Sequence, residues 1–161
     1  MEANESKLIR PHFKVVQIVD GDGLIVENIF TKEQVEVRIY GIDAPELKPS
    51  NKLLRDEKEL NLPAEFLIEL GNKSLNFTLQ VVRPGDKVTL VQETRNMVDG
   101  YGRTLAYVIL EDSKSVGEVL IENGFAKPYS KVYCDDLPKY QMLSLKARSE
   151  KKGLFLFTDA F

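Results

Sequence analysis

Four polar clusters along the chain hold side chains able to do chemistry. Asp20 and Asp22 stand in a DGDG turn, and Arg38 stands on the polar face of a predicted strand. Asp43-Ala44-Pro45-Glu46 follows where that strand ends, and Arg103 follows the Tyr101-Gly102 turn. Residues 20–46 hold seven carboxylates against Lys32 and Arg38, a net charge of −5. Oxygen ligands without His or Cys favour a hard cation, Ca²⁺ or Mg²⁺. The D-x-D-x-D-G spacing of an EF-hand is missing, so such a site has to be assembled from distant segments. Two arginines beside it suit phosphate, because the guanidinium fork matches phosphate oxygens and stays charged at any working pH. A metal and two arginines together would neutralise the charge that grows on a pentacoordinate phosphorus. A nearby glutamate could orient or deprotonate an attacking water. Each part alone is ordinary: DGDG is mostly a hairpin turn, a strand arginine is mostly solvated or ion-paired, and YGR is mostly a turn. Their co-occurrence is what carries weight.

The elements that must position these groups can be read from periodicity. Phe13–Val19, Leu24–Phe30 and Gln34–Ile42 read as a three-stranded meander. In the third strand Val35, Val37 and Ile39 fall on one face, and Glu36, Arg38 and Tyr40 on the other. Asn51–Asn61 is charged and reads as a loop. Leu62–Val82 has apolar residues at helical spacing, ended by Arg83-Pro84-Gly85-Asp86. Lys87–Glu93 and Arg103–Leu110 complete five strands. Ser115-Val116-Gly117-Glu118 reads as a capping box that opens a short helix ending at Asn123-Gly124. Asp136 with Pro138 opens a last helix, ended by Gly153. The expected class is α+β, mainly β: a five-stranded OB-fold barrel with three helices. Residues 1–11 read as a flexible N-terminal arm, and 12–161 as a single domain.

Composition bounds the reading further. The chain has 161 residues and a net charge of −3, with 43% hydrophobic and 29% charged residues, as in an ordinary soluble globule. No apolar run approaches the ~20 residues of a membrane span. The mild acidity argues against holding nucleic acid by bulk positive charge. That charge is an average, since residues 127–152 hold seven cations against three anions and read as a solvated basic face. Cys134 is the sole cysteine, which excludes an internal disulfide and reads as an inert thiol. His12 is the sole histidine, which argues against a Ser-His-Asp triad. No apolar h-region of a signal peptide precedes Lys14.

In order along the chain, VDGDG, RIYGIDAPE, DGYGRTLAYV and EVLIENGFAKPY resemble the thermonuclease family, the staphylococcal-nuclease-like domain. The resemblance runs from His12 to Phe157 and implies the family's barrel with three helices. It implies that Asp22 and Asp43 bind Ca²⁺ together with the backbone carbonyl of Ala44, with Asp20 near the metal. It implies that Arg38 and Arg103 bind phosphate and that Glu46 positions or deprotonates water. Tyr101 matches a tyrosine lining the nucleotide pocket. Tyr129 and Tyr133 bracket the position of another. The implied activity is hydrolysis of DNA and RNA, single-stranded substrates included, to 3′-phosphate and 5′-hydroxyl ends by a monomer.

The sequence also departs from the family pattern. Gly23 stands where the family mostly has Thr, and Gly100 where some members carry a lysine toward substrate. Leu47–Asn61 matches nothing in the pattern. A catalytically weak or inactive OB-fold module that binds nucleic acid or protein is the alternative reading. The resemblance implies a secreted or periplasmic protein where an export signal has been removed, and a cytoplasmic one otherwise.

Overall fold

The structure, a computed structural model, describes residues 7–161. Five strands close a barrel in the order β1-β2-β3-β6-β5: β1 (Lys7–Asp20), β2 (Gly23–Asn28), β3 (Gln34–Ile39), β5 (Lys87–Glu93) and β6 (Thr104–Leu110). This is the expected mainly-β OB-type barrel. Its interior is filled by alternating apolar residues such as Phe13, Val15, Leu24, Val26, Val37 and Leu90, each no more than 2% exposed. One contact closes the barrel in parallel, pairing Arg38 with Leu105 and Ile39 with Ala106. That pairing brings Arg38 and the residue just before β6, Arg103, to the same rim.

Residues 7–11 were expected in a flexible arm, but they belong to β1 and pair with β5, Lys7 against Glu93 and Arg10 against Leu90. The register shifts between Arg10 and Phe13, where Pro11 lacks an N–H and His12 sits at φ 73°. The proline therefore marks a bulge inside the strand. His12 packs edge-on against Phe30, with ring centroids 5.2 Å apart. Residues 1–6 of the expected arm lie outside the described residues.

The third strand stops earlier than its alternation predicts. Gly41 adopts φ 72°, and a Cβ there would meet Cys134 Sγ at 2.7 Å, so the chain turns at a position only glycine suits. Beyond the turn, β4 (Ile42–Asp43) pairs with β7 (Lys127–Pro128), Asp43 against Lys127. Tyr40, expected on the polar face, is buried instead. Its ring lies 4.8 Å from that of Tyr107, and its hydroxyl donates to the Glu93 carbonyl at 3.2 Å.

Among the described residues there are four α-helices rather than three. The additional one is α1 (Asn51–Leu60), in the segment that read as a loop. Ser50 caps it, its Oγ accepting the Leu53 N–H at 3.0 Å. Leu53 is buried with Leu67 and Leu70 of α2 (Ala64–Val81) in a second core cluster outside the barrel. The inner face of α2 approaches the barrel rim closely. A Cβ at Gly71 would lie 2.5 Å from the Glu46 carbonyl, so only glycine allows the helix to pass there. Helices α3 (Val116–Glu122) and α4 (Leu137–Ser149) pack on each other beyond the barrel. The capping box at Ser115 makes no side-chain bond to the backbone, and Asp136 makes none either. Helix α4 ends at Ser149, short of Gly153, because Lys151 turns left-handed at φ 55°. A 3₁₀ turn, Gly153–Leu156, follows.

Candidate active site

Asp20, Asp22, Arg38, Asp43, Glu46, Tyr101, Arg103, Tyr129 and Tyr133 all line one cleft of about 1170 Å³ at the barrel rim. The structure thus brings together every candidate side chain from the sequence. Ala44 does not line the cleft. It is buried behind it, and its N–H donates to Asp22 Oδ2 at 2.9 Å.

The acidic half of the site is crowded. Asp22 N–H donates to Asp20 Oδ1 at 3.3 Å, and the Asp22 carbonyl accepts the Ile39 N–H at 3.0 Å. Asp22 and Asp43 are both buried, at 7% and 6% exposure. Burial, and then the neighbouring charge of Asp22, pushes the Asp20 carboxyl up to about 8. Burial would also raise Asp22, but the Arg38 charge and the Ala44 amide outweigh it and hold this carboxyl below the usual range. Asp43 is raised by burial and by Asp22. Glu46 is raised chiefly by burial, with Lys52 pulling the other way. Gly23 matters here: a Cβ on it would lie 2.9 Å from Asp20 Oδ1, so the Asp20 carboxylate takes up the space that a side chain would need.

The two arginines are held differently. Arg38 Nη1 donates to the carbonyls of Ile42 at 2.7 Å and Ile39 at 3.1 Å, and lies 3.6 Å from Asp22 Oδ2. Its Nη2 lies 3.7 Å from Asp43 Oδ1. Burial opposes its charge, but Asp22 and Asp43 more than compensate. Arg103 is held by Asp99, whose Oδ2 accepts its Nε–H at 2.8 Å. Asp99 Oδ1 also accepts the backbone N–H groups of Tyr101 and Arg103, both at 2.9 Å, which shapes the DGYGR turn. Arg103 lies over the Tyr101 ring at 5.7 Å, and Tyr101 is 88% exposed. Of the two bracketing tyrosines, Tyr129 is the one beside a candidate arginine, its ring 5.4 Å from Arg38 Cζ. Tyr133 lies 5.1 Å from Arg95, which is tied to Glu93 and Asp135.

Three residues of this region escaped the sequence reading. Asp99 stood in view within DGYGR as turn chemistry. Lys52, on α1, lies 3.4 Å from Asp43 Oδ2 and 2.8 Å from Asp56 Oδ2. The Ser50 cap and the Lys52–Asp56 spacing were the signals for that helix. Glu93 is 1% exposed and accepts bonds from the Tyr107 hydroxyl at 2.5 Å and the Asp135 amide at 2.8 Å. It anchors the loop that carries Tyr129 and Tyr133. Cys134 is buried beside it, with its thiol pushed up by burial, in line with an inert role.

The donor set is carboxylate oxygen, which suits a hard divalent cation, and such a cation would relieve the crowding around Asp22. Among the described residues no three His, Cys, Asp or Glu side chains form a ready metal cluster. The donor chemistry fits; the convergence would have to come with binding.

The fold and this cleft define a staphylococcal-nuclease-like domain. A family model described as Staphylococcal nuclease homologue matches residues 36–156, and the chain belongs to that family. Arg38, Asp43, Glu46 and Arg103 lie inside the matched span; Asp20 and Asp22 precede it. The chain is 31% identical over 143 residues to Thermonuclease of Staphylococcus hyicus, covering 88% of this chain and 72% of that protein. It is 30% identical over 148 residues to Endonuclease YhcR of Bacillus subtilis, covering 90% of this chain but 11% of that one. It is 28% identical over 148 residues to an uncharacterized endonuclease of Escherichia coli O157:H7, covering 92% and 79%. Among the described residues no helix is long and apolar enough to cross a membrane.

Proposed function

We propose that the protein is a Ca²⁺-dependent nuclease that hydrolyses single-stranded DNA and RNA, as a monomer, to 3′-phosphate and 5′-hydroxyl ends. The observation that carries this reading is the meeting of Arg38 and Arg103 with Asp22, Asp43 and Glu46 on one cleft. The names of the endonuclease and thermonuclease relatives support it.

Asp22 and Asp43 would hold the cation, with Asp20 behind them and the Ala44 carbonyl as a further oxygen. When bound, Ca²⁺ supplies positive charge to polarise a phosphoryl oxygen. Glu46 takes a proton from the attacking water, a role suited by a carboxyl whose pKa burial raises above the usual value. The water oxygen bonds to phosphorus as the bond to the 5′ oxygen breaks, the departing oxygen takes up a proton from solvent to become the 5′-hydroxyl, and phosphate stays on the 3′ side. Arg38 is held rigidly by two backbone carbonyls, so its charge meets the developing oxyanion without reorganising. Arg103, just before the neighbouring strand β6, lines the same cleft and clamps the same phosphate. The exposed Tyr101 ring gives a base a surface on which to stack, and Tyr129 and Tyr133 line the same cleft.

End-labelled single-stranded DNA and RNA, incubated with purified protein in Ca²⁺, Mg²⁺ and EGTA, test the reading. Cleavage in Ca²⁺ that stops in EGTA and leaves 3′-phosphate ends supports it. Binding without cleavage in every arm would instead make the domain a binding module.

A further inference from the structure

We propose that Lys52 is a movable counter-ion of the acidic site: it bridges Asp43 and Asp56 when no divalent cation is bound and passes wholly to Asp56 when one binds. This rests on the calcium-site reading above. Two cations face the buried Asp43 carboxylate, Arg38 at 3.7 Å and Lys52 at 3.4 Å. Arg38 is fixed, because it donates to the carbonyls of Ile39 and Ile42 and also faces Asp22. Lys52 has no such backbone tether. Its nearer partner is Asp56, hydrogen-bonded at 2.8 Å one helical turn away on the same face of α1, so the ammonium bridges the two carboxylates. The side chain keeps 29% exposure, so the ammonium can move between the two carboxylates without leaving water.

The helix itself is firmly placed. Leu53, the next residue, is 2% exposed among Leu67 and Leu70. Glu57 Oε2 accepts the Ala64 N–H at 2.9 Å, which ties α1 to the start of α2. The stem of Lys52 is therefore held at the cleft and only its head is free to exchange. An incoming divalent cation has to displace that ammonium from Asp43. The lysine thus sets the calcium affinity of the site and makes α1, which the family pattern left unassigned, a functional part of it.

Isothermal titration calorimetry with Ca²⁺ on the full chain tests this without reference to activity. Lys52→Gln should bind Ca²⁺ roughly fivefold more tightly, the upper end for a part-exposed ion pair. Lys52→Arg, which keeps the charge, should stay near wild type. Asp56→Asn removes the nearer partner and should weaken Ca²⁺ binding. If Lys52→Gln binds Ca²⁺ no more tightly than wild type, the counter-ion role is overturned while the calcium reading stands. If Lys52→Gln tightens but Asp56→Asn is unchanged, the passage to Asp56 is overturned and the hold on Asp43 stands. Wild-type protein that binds no Ca²⁺ overturns both this role and the calcium reading.

Discussion

Asp22 reaches across 22 residues to Ala44, its Oδ2 accepting the Ala44 N–H at 2.9 Å. The β1–β2 turn is thereby bonded to the segment that carries Asp43 and Glu46. The same carboxylate faces Arg38, so one buried side chain joins three of the four clusters seen in the sequence.

This bond separates two variants. Asp22→Asn keeps a carbonyl oxygen for Ala44, whereas Asp22→Ala leaves a buried N–H unpaired. Both should abolish cleavage and weaken Ca²⁺ binding, because both lose the charge. In urea unfolding Asp22→Asn should be the more stable of the two by roughly 1–3 kcal/mol, the cost of an orphaned buried donor. Equal stabilities would mean that the bond does not hold the segment.

Arg38 and Arg103 should differ in the same way. Either one changed to Ala should lower turnover by about 10²–10³, as for loss of one preorganised electrostatic contact. Arg38→Ala also leaves Asp22 and Asp43 buried without their shared cation and should destabilise by about 3–5 kcal/mol. Arg103 sits part-exposed at the rim, paired with Asp99 and over the exposed Tyr101 ring, so Arg103→Ala should unfold within about 1 kcal/mol of wild type. Paired kinetics and thermal unfolding check both. A stable Arg38→Ala would show that its backbone tethers, not its charge, hold the site.

The barrel and the site were legible in the sequence for one reason: strand alternation and turn residues are local signals, and the chemistry-bearing residues sat at strand ends. What was missed depended on distant partners. Helix α1 carries so much charge that its apolar face reduces to Leu53 and Leu60, and its stability comes from packing on α2. Tyr40 alternates as a polar-face residue, yet Gly41 turns the chain and sends its ring inward to Tyr107 and Glu93. Residues 7–11 read as part of an arm, yet they extend β1, because the β5 partner that carries the strand past Pro11 lies some eighty residues away.

Asp99 gives the site a pH dependence of its own. Burial works against its charge, but the Arg103 and Tyr101 amides and the Arg103 guanidinium win and lower its pKa. A carboxyl lowered on folding contributes stability that is present above its unfolded pKa of about 3.9 and is lost as pH falls through the folded value. Asp99→Asn should therefore cost about 1 kcal/mol at pH 7, the upper end for a part-exposed ion pair, with the gap from wild type closing below about pH 4. Urea unfolding of both proteins from pH 2.5 to 7 measures it. A gap that persists at low pH would place the loss in turn geometry instead of charge.

Gly100 offers a gain of function. A Cβ on it meets nothing within 4 Å, and its φ lies outside the left-handed region, unlike that of Gly102 at 82°. A side chain is therefore admitted without strain, beside Tyr101 and Arg103 on the cleft wall. Gly100→Lys should add one phosphate contact for a polynucleotide lying along that wall. Such a contact strengthens binding by charge and counterion release, so its benefit falls as salt rises. KM for single-stranded DNA should drop several-fold at low salt, kcat should hold, and the slope of log KM against log salt should steepen by about 0.7. Thermal unfolding should be unchanged, since the position is open. If KM and its salt slope stay at wild-type values, the strand does not pass Gly100, and the substrate path must run instead along the α1 side of the cleft, past Lys52 and Arg55.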